Sequence, residues 1–318
     1  MAKPKLALYW AASCGGCEIA VLEINEKILD VANNFEIVFW PVAIDTKYAD
    51  VEKMEDGSIA VCLFNGGIRN EEGERIARLL RRKSQVMVAY GSCACEGCIP
   101  ALINLNSREA MFERAYLEAQ SVDNPQKIVP QTKNEVPEGE IEIPKMYQQV
   151  YRLKDIVPVD YFIPGCPPVA DMTWAAINAV ITGQLPPVGS VIAGDKTVCE
   201  TCPMKRDVKK ITKIVRPHEV IPDKEICLLE QGIICMGPAT RSGCGALCPT
   251  VYMPCRGCYG PPIDVLDQGL KMISALGSVI ETNDPAEMER IVEQIEDPAG
   301  TFYRFGMAGS LLRRAKHE

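Results

Sequence analysis

Three features of the sequence predict an α/β protein built on a flavodoxin-like doubly wound parallel sheet, followed by a small irregular domain. Apolar runs of strand length alternate with helix-periodic segments from about residue 5 to residue 182, glycine-rich turns stand where strands hand over to helices, and beyond about residue 190 the alternation stops. Such alternation is the pattern of a sheet with crossover helices on its faces. The first strand is expected at about 5–10 and leads through the turn "SCGGC" into a helix from Glu18 to about Val31. "FEIVFWPVAI" (35–44) and "SIAVCLFNGG" (58–67) read as further strands, the second a buried one. In "RIARLLRRK" (75–83) apolar Ile76, Leu79 and Leu80 recur at helical spacing, which makes the cations the solvated face of an amphipathic helix. "QVMVAYG" (85–91) and "VDYFIPG" (159–165) are the remaining strands, the last leading into a helix over "VADMTWAAINAVIT". Between them, residues 121–158 are rich in Pro, Glu, Gln and Lys and read as a long irregular insert. A first domain of 1–190 is thus followed by a second of 191–318, which closes with helices at "IDVLDQGLKMISALG" and "PAEMERIVEQIE" and a polar tail.

With 318 residues, 47% of them hydrophobic and 24% charged, the chain is long enough for two domains with ordinary cores. A net charge of -8 argues against nucleic acid as a partner, because its binders concentrate positive charge against phosphates. The longest mostly apolar stretch, around "MTWAAINAVITG", falls short of the roughly 20 residues that span a bilayer. The N-terminus shows neither a secretory nor a twin-arginine pattern, so no membrane association and a cytoplasmic location are expected.

Fifteen cysteines against two histidines, His218 and His317, require a chemical reason. Disulfides are disfavoured in a reducing compartment, so the cysteines read first as metal ligands, with thiolates doing the ligating. Ligands of open parallel sheets sit beyond the carboxyl ends of the strands. Three loops at such places carry cysteines: "SCGGC" (Cys14, Cys17), "GSCACEGC" (Cys93, Cys95, Cys98) and "PGCPP" (Cys166). Glycines 15 and 16 free the first turn to bring backbone N–H groups towards a ligand, and the following helix directs its positive end the same way, a setting suited to an anionic thiolate cluster. A tight turn with two buried thiols, or a thioredoxin-type Cys-x-x-Cys, remains open for that turn alone; the cysteines on matching loops weigh against both. Cys62, inside a strand, reads as a buried small hydrophobe.

The second half supplies eight more thiols: Cys199 and Cys202, Cys227 and Cys235, Cys244 and Cys248, Cys255 and Cys258. Eight is the number that two four-cysteine clusters need. Cys166, Cys202 and Cys248 are each followed by proline, which lacks an N–H and turns the chain away. Zinc held by four cysteines stays open for any one quartet, since short Cys-x-x-Cys pairs are equally its signature.

In order along the chain, "CGGCE", "GSCA", "PGCPP" and "CLLEQGIICMGPATRSGCGALCPTVYMPCRGCYGP" resemble the small subunit of NiFe hydrogenases, and within it the cytoplasmic methyl-viologen-reducing branch found with heterodisulfide reductase. The resemblance covers residues from about 5 to 280 and implies three 4Fe-4S clusters, hence a small irregular iron-sulfur domain in the second half. It implies that Cys14, Cys17, Cys93 and Cys166 hold a proximal cluster facing the large subunit. Cys244, Cys248, Cys255 and Cys258 would hold a medial one, where many relatives lack one cysteine, and Cys199, Cys202, Cys227 and Cys235 a distal one, with Cys199 where many relatives have histidine. The implied partners are the NiFe large subunit, which carries the hydrogen-activating site, and an electron acceptor such as a heterodisulfide reductase complex; no catalytic residue is expected on this chain. The same resemblance orders the relay proximal, medial, distal, and the stretch "PMKRDVKKITK" (203–213) suits an exposed docking face at its exit, or a solvated basic segment without a partner. Two departures stand out: "CEGC" after "GSCA" adds Cys95 and Cys98, and the gap from Cys227 to Cys235 is longer than in the best-known relatives. The alternative functions are an iron-sulfur subunit of a complex-I-like oxidoreductase and a zinc-stabilised scaffold without redox function.

Overall fold

The computed structural model describes residues 3–208 and 210–312; Lys209 of the basic stretch and His317 of the polar tail lie outside the described residues. Nine strands are described: β1 (Lys5–Trp10), β2 (Glu36–Phe39), β3 (Ile59–Asn65), β4 (Ile68–Asn70), β5 (Ser84–Tyr90), β6 (Lys133–Val136), β7 (Gly139–Glu142), β8 (Met146–Tyr151) and β9 (Tyr161–Ile163). Five form the expected sheet, in the order β2-β1-β3-β5-β9 with every neighbouring pair parallel.

Side chains alternate across this sheet, as the two-residue period of a strand requires. Leu6 and Leu8 of β1, Val61 and Leu63 of β3 and Val88 and Tyr90 of β5 pack against the helices Gly16–Leu22 and Ala170–Thr182. Ala7 and Tyr9, Cys62 and Phe64, and Met87 and Ala89 face the helix Glu71–Lys83 on the other side. Cys62 is wholly buried there. The helix Glu71–Lys83 starts where Asn70 Oδ1 accepts from Gly73 N at 2.8 Å, an ordinary N-cap. Its exposed cations are solvated or loosely paired, Arg75 with Glu52 and Arg82 with Asp56, contacts worth little in water. Arg81 is half-buried and binds Asp160 just ahead of β9.

Several boundaries differ from the sequence reading. The first helix begins at Gly16 and breaks at Asn25, which takes a φ of 58° before a second helix runs Ile28–Asn34; asparagine tolerates that left-handed conformation. The strand expected at 35–44 ends at Phe39, because the chain then turns, with Ala43 N and Ile44 N both donating to Trp40 O. The helix expected from Ile263 starts only at Gln268, capped by Asp267 Oδ1. The supposedly irregular insert holds order: β6 and β7 form a hairpin, and β8 pairs antiparallel with the three-residue β4. Asn104 pins β8 by bonding both N–H and C=O of Val150.

The second half is built from short helices and isolated bridges around a core that includes Val198, Ile211, Leu228, Met236, Met272 and Phe302, and that also takes in Ala101 and Val150 from the first half. Among the described residues no helix is long and apolar enough to cross a membrane.

Candidate metal centres

The loops after β1, β5 and β9 meet at one edge of the sheet. Gly91 N donates to Ile163 O at 2.8 Å and Ser92 N to Gly165 O at 2.7 Å, so the second and third loops are stitched to each other. The Ser92 hydroxyl accepts from Gly165 N at 3.2 Å and donates to the carbonyl of Cys258, tying both loops to the second half. Two glycines are required by the close approach. Gly91 has a φ of +83°, and a Cβ there would lie 2.2 Å from Cys17 Sγ; Gly15 has the same φ, with its Cβ position 3.0 Å from the Trp10 ring. The sequence singled out the first of these turns but offered no sign that Ser92 joins three segments, because its partners lie 73 and 166 residues away.

At this edge Cys14 and Cys166 are exposed while Cys17 and Cys93 are buried. Burial, and after it the nearby sulfurs of Cys166, Cys14 and Cys98, push the Cys17 thiol far up. Cys93 packs with Cys98 and Phe305, and Cys258 of the second half lies against the same small cluster. The structure therefore gathers the four cysteines of the first group and adds Cys98, whose role the sequence left open. Cys95 points elsewhere: its side chain is in the core on the opposite side of the sheet, and its Sγ meets Ala89 O at 3.3 Å. We accordingly expect Cys93→Ser to lower the iron bound at this group while Cys95→Ser leaves it unchanged. Iron analysis of the two variants checks this; loss confined to Cys95→Ser would reverse it.

The eight downstream cysteines fall into two groups. Burial first, then Cys235 and Cys227, raise the Cys199 thiol to about 12, with Cys202 adding to the effect. Burial and then Cys244 raise Cys258 to about 12, and Cys248 responds to burial and to Cys244. Cys199, Cys202, Cys227 and Cys235 line one small pocket together, and Cys258 lies near Cys244, Cys248 and Cys255, the last of which also lies against Cys235. A cavity of about 260 Å³ opens beside the first of these quartets, lined by Thr197, Cys199, Arg206, Cys227 and Glu230. Of the basic stretch, Lys205 is bonded to Glu225 and Lys210 to Glu281, so part of its charge is already offset.

Two of the sulfurs have backbone donors. Cys235 Sγ accepts from Cys255 N at 3.2 Å and Cys14 Sγ from Gly16 N at 3.4 Å. N–H bonds to sulfur favour the thiolate and offset the negative charge of an all-thiolate cluster, so the donor set fits iron-sulfur ligation. Among the described residues no three histidine, cysteine or carboxylate groups converge closely enough to hold a single metal ion.

One buried carboxylate adjoins the first group. Glu18, next to Cys17, accepts from Trp40 Nε1 and Asn65 Nδ2, while Ser13 Oγ donates to Asn65 Oδ1 at 2.7 Å. Burial raises its pKa and the two donors work against that.

The model of the family "NADH ubiquinone oxidoreductase, 20 Kd subunit" matches residues 14–180. The iron-sulfur subunit of the F420-non-reducing hydrogenase of Archaeoglobus profundus is 40% identical over 316 residues, 98% of each chain. A subunit of the F420-non-reducing hydrogenase vhu of Methanocaldococcus jannaschii is 37% identical over 98% of this chain and 97% of its own. Among solved structures, an NAD+-reducing [NiFe]-hydrogenase in the H2-reduced state contains a chain of 28% identity and TM-score 0.50, with 58% of this chain and 94% of that one covered. A chain of the [NiFeSe] hydrogenase from Desulfovibrio vulgaris Hildenborough has 16% identity, a TM-score of 0.51 and coverage of 82% and 95%; it shares the fold.

Proposed function

The chain belongs to the family of iron-sulfur subunits of the F420-non-reducing hydrogenases, and from that premise we propose how its three cysteine groups work. It is the iron-sulfur, electron-transfer subunit of a hydrogenase, an oxidoreductase complex in which it accompanies a large subunit. The family model, named for a respiratory subunit, ends at residue 180, ahead of all eight downstream cysteines.

In our reading the ligands are Cys14, Cys17, Cys93 and Cys166 for the first group, Cys244, Cys248, Cys255 and Cys258 for the second, and Cys199, Cys202, Cys227 and Cys235 for the third. Four-iron clusters held there would supply one-electron transfer in that order. The observation that supports this order is a pair of junctions. Cys258 of the second group lies against the small cluster of Cys93 and Cys98, and its carbonyl accepts from the Ser92 hydroxyl beside Cys93, while Cys255 of the second group donates its N–H to the sulfur of Cys235 in the third. The second group therefore touches both of the others, and among the described residues no hydrogen bond joins a ligand residue of the first group to one of the third. Trp10 at the Cys14 turn and Ile19 and Leu22 on the helix that follows it are exposed; exposed apolar side chains favour a protein partner, and we assign that face to the large subunit, which would carry the hydrogen-splitting nickel-iron site. The cavity at Cys199 and Cys227 supports an exit there, towards an acceptor that the resemblance makes a heterodisulfide reductase complex. A cytoplasmic setting, and a division into 1–190 around the sheet and 191–318 around the downstream cysteines, belong to the same proposal.

Iron and sulfide analysis of the complex purified without oxygen tests the cluster count. About twelve of each per small subunit are expected. A dominant oxidised three-iron signal in electron paramagnetic resonance at full occupancy would defeat the assignment of Cys244, Cys248, Cys255 and Cys258, and zinc in place of iron would restore the scaffold reading.

A further inference from the structure

The proposed ligand set leaves Cys98 unused, yet the fold holds it firmly at the first group. Gly97 has a φ of +86°, and a Cβ there would lie 2.5 Å from that of Ala308 and 2.7 Å from that of Ala101, so the chain can make this turn only at glycine. Cys98 follows with a φ of +52°, a conformation uncommon for a residue with a side chain and of the kind retained where surrounding structure enforces it. The result is a side chain turned inward, 1% exposed, with its Sγ 3.8 Å from Cys166 Sγ. That is hydrogen-bond reach for sulfur, and Cys93 lies in the same small cluster.

We propose that Cys98 is a thiol donor rather than a ligand: its S–H bonds the Cys166 sulfur and raises the reduction potential of the cluster that Cys166 helps to hold. This rests on the ligand set proposed above. Four thiolates already give a four-iron core net negative charge, and the 3.8 Å contact directs the Cys98 thiol at one of the four ligand sulfurs. Such a bond favours the more negative, reduced state of the cluster, and hydrogen bonds to sulfur are among the determinants of cluster potential. Cys98 is thus a positioning residue that acts through Cys166.

The test is a redox titration of the intact hydrogenase complex followed by electron paramagnetic resonance, with the other two clusters as internal references. Cys98→Ala should keep the full iron content and move the midpoint potential of the first cluster to a more negative value, leaving the other two in place. Cys98→Ser, which still offers a donor, should recover most of that shift; it also keeps the idea testable if the alanine variant assembles poorly. Full iron with an unmoved potential in Cys98→Ala would overturn the donor role, and so would loss of about four irons, which would make Cys98 a ligand. Cys166→Ala separates this from the underlying reading: it should lose the first cluster, and a variant that retained it would overturn the ligand set itself.

Discussion

Replacing Cys199 and Cys202 by alanine in the intact complex will leave hydrogen–deuterium exchange at the hydrogen-activating site unchanged while electron delivery to the physiological acceptor falls to background. About four irons per small subunit should be lost, with the other two clusters retained. The expectation follows from position. The third group touches the second through the Cys255 N–H bond to Cys235 and opens on the cavity at Cys199 and Cys227, whereas the exchange reaction needs only the far end of the relay. Cys199 and Cys202 stand on the short helix Val198–Thr201 and at its C-terminal end, away from the parallel sheet, so their loss does not disturb the first group. Exchange and acceptor reduction measured on one preparation, with spectroscopy confirming the remaining clusters, give the answer. Undiminished delivery would place the exit elsewhere.

Gly91→Ala should be nearly as damaging at the opposite end. The new Cβ would lie 2.2 Å from Cys17 Sγ, and no side-chain rotation of an alanine relieves that contact. The residue would also have to hold a φ of +83°, at a cost of roughly 1–2 kcal/mol for a residue with a Cβ. Loss of about four irons is expected, together with a lower unfolding temperature. Gly57→Ala separates the two effects. Its φ is +71° and nothing lies within 4 Å of the added carbon, so it should show the backbone cost and keep all its iron. Retention of the first cluster in Gly91→Ala would mean that Cys17 is not held where the sheet edge places it.

Much of this molecule was legible before folding. The apolar runs of β1, β3 and β5 and the amphipathic pattern of Glu71–Lys83 are local properties, and they indicated the sheet and its covering helix within a few residues. Short elements were less legible. β4 has three residues and becomes a strand only because β8 pairs with it, across an insert whose composition suggested irregular chain. The break at Asn25 and the turn after Phe39 are likewise settled by how helix and strand must meet the core rather than by propensity.

The cysteine groups divide in the same way. Spacing alone marked Cys14 with Cys17, Cys199 with Cys202 and Cys255 with Cys258 as pairs, because two sulfurs separated by a tight turn converge whatever the rest of the chain does. Spacing could not distinguish Cys93, Cys95 and Cys98, three thiols within six residues. That was decided by the tertiary structure. The helix Ser92–Glu96 turns Cys95 into the core on the far side of the sheet, while the positive φ at Gly97 and Cys98 returns the last thiol to Cys166. The sequence by itself determined the kind of chemistry, since thiols in this number and these short spacings suit few uses other than metal binding. The fold alone determined which thiol meets which, because contacts such as Ser92 to Cys258 and Cys98 to Cys166 join residues that only chain closure over 166 and 68 positions brings within reach.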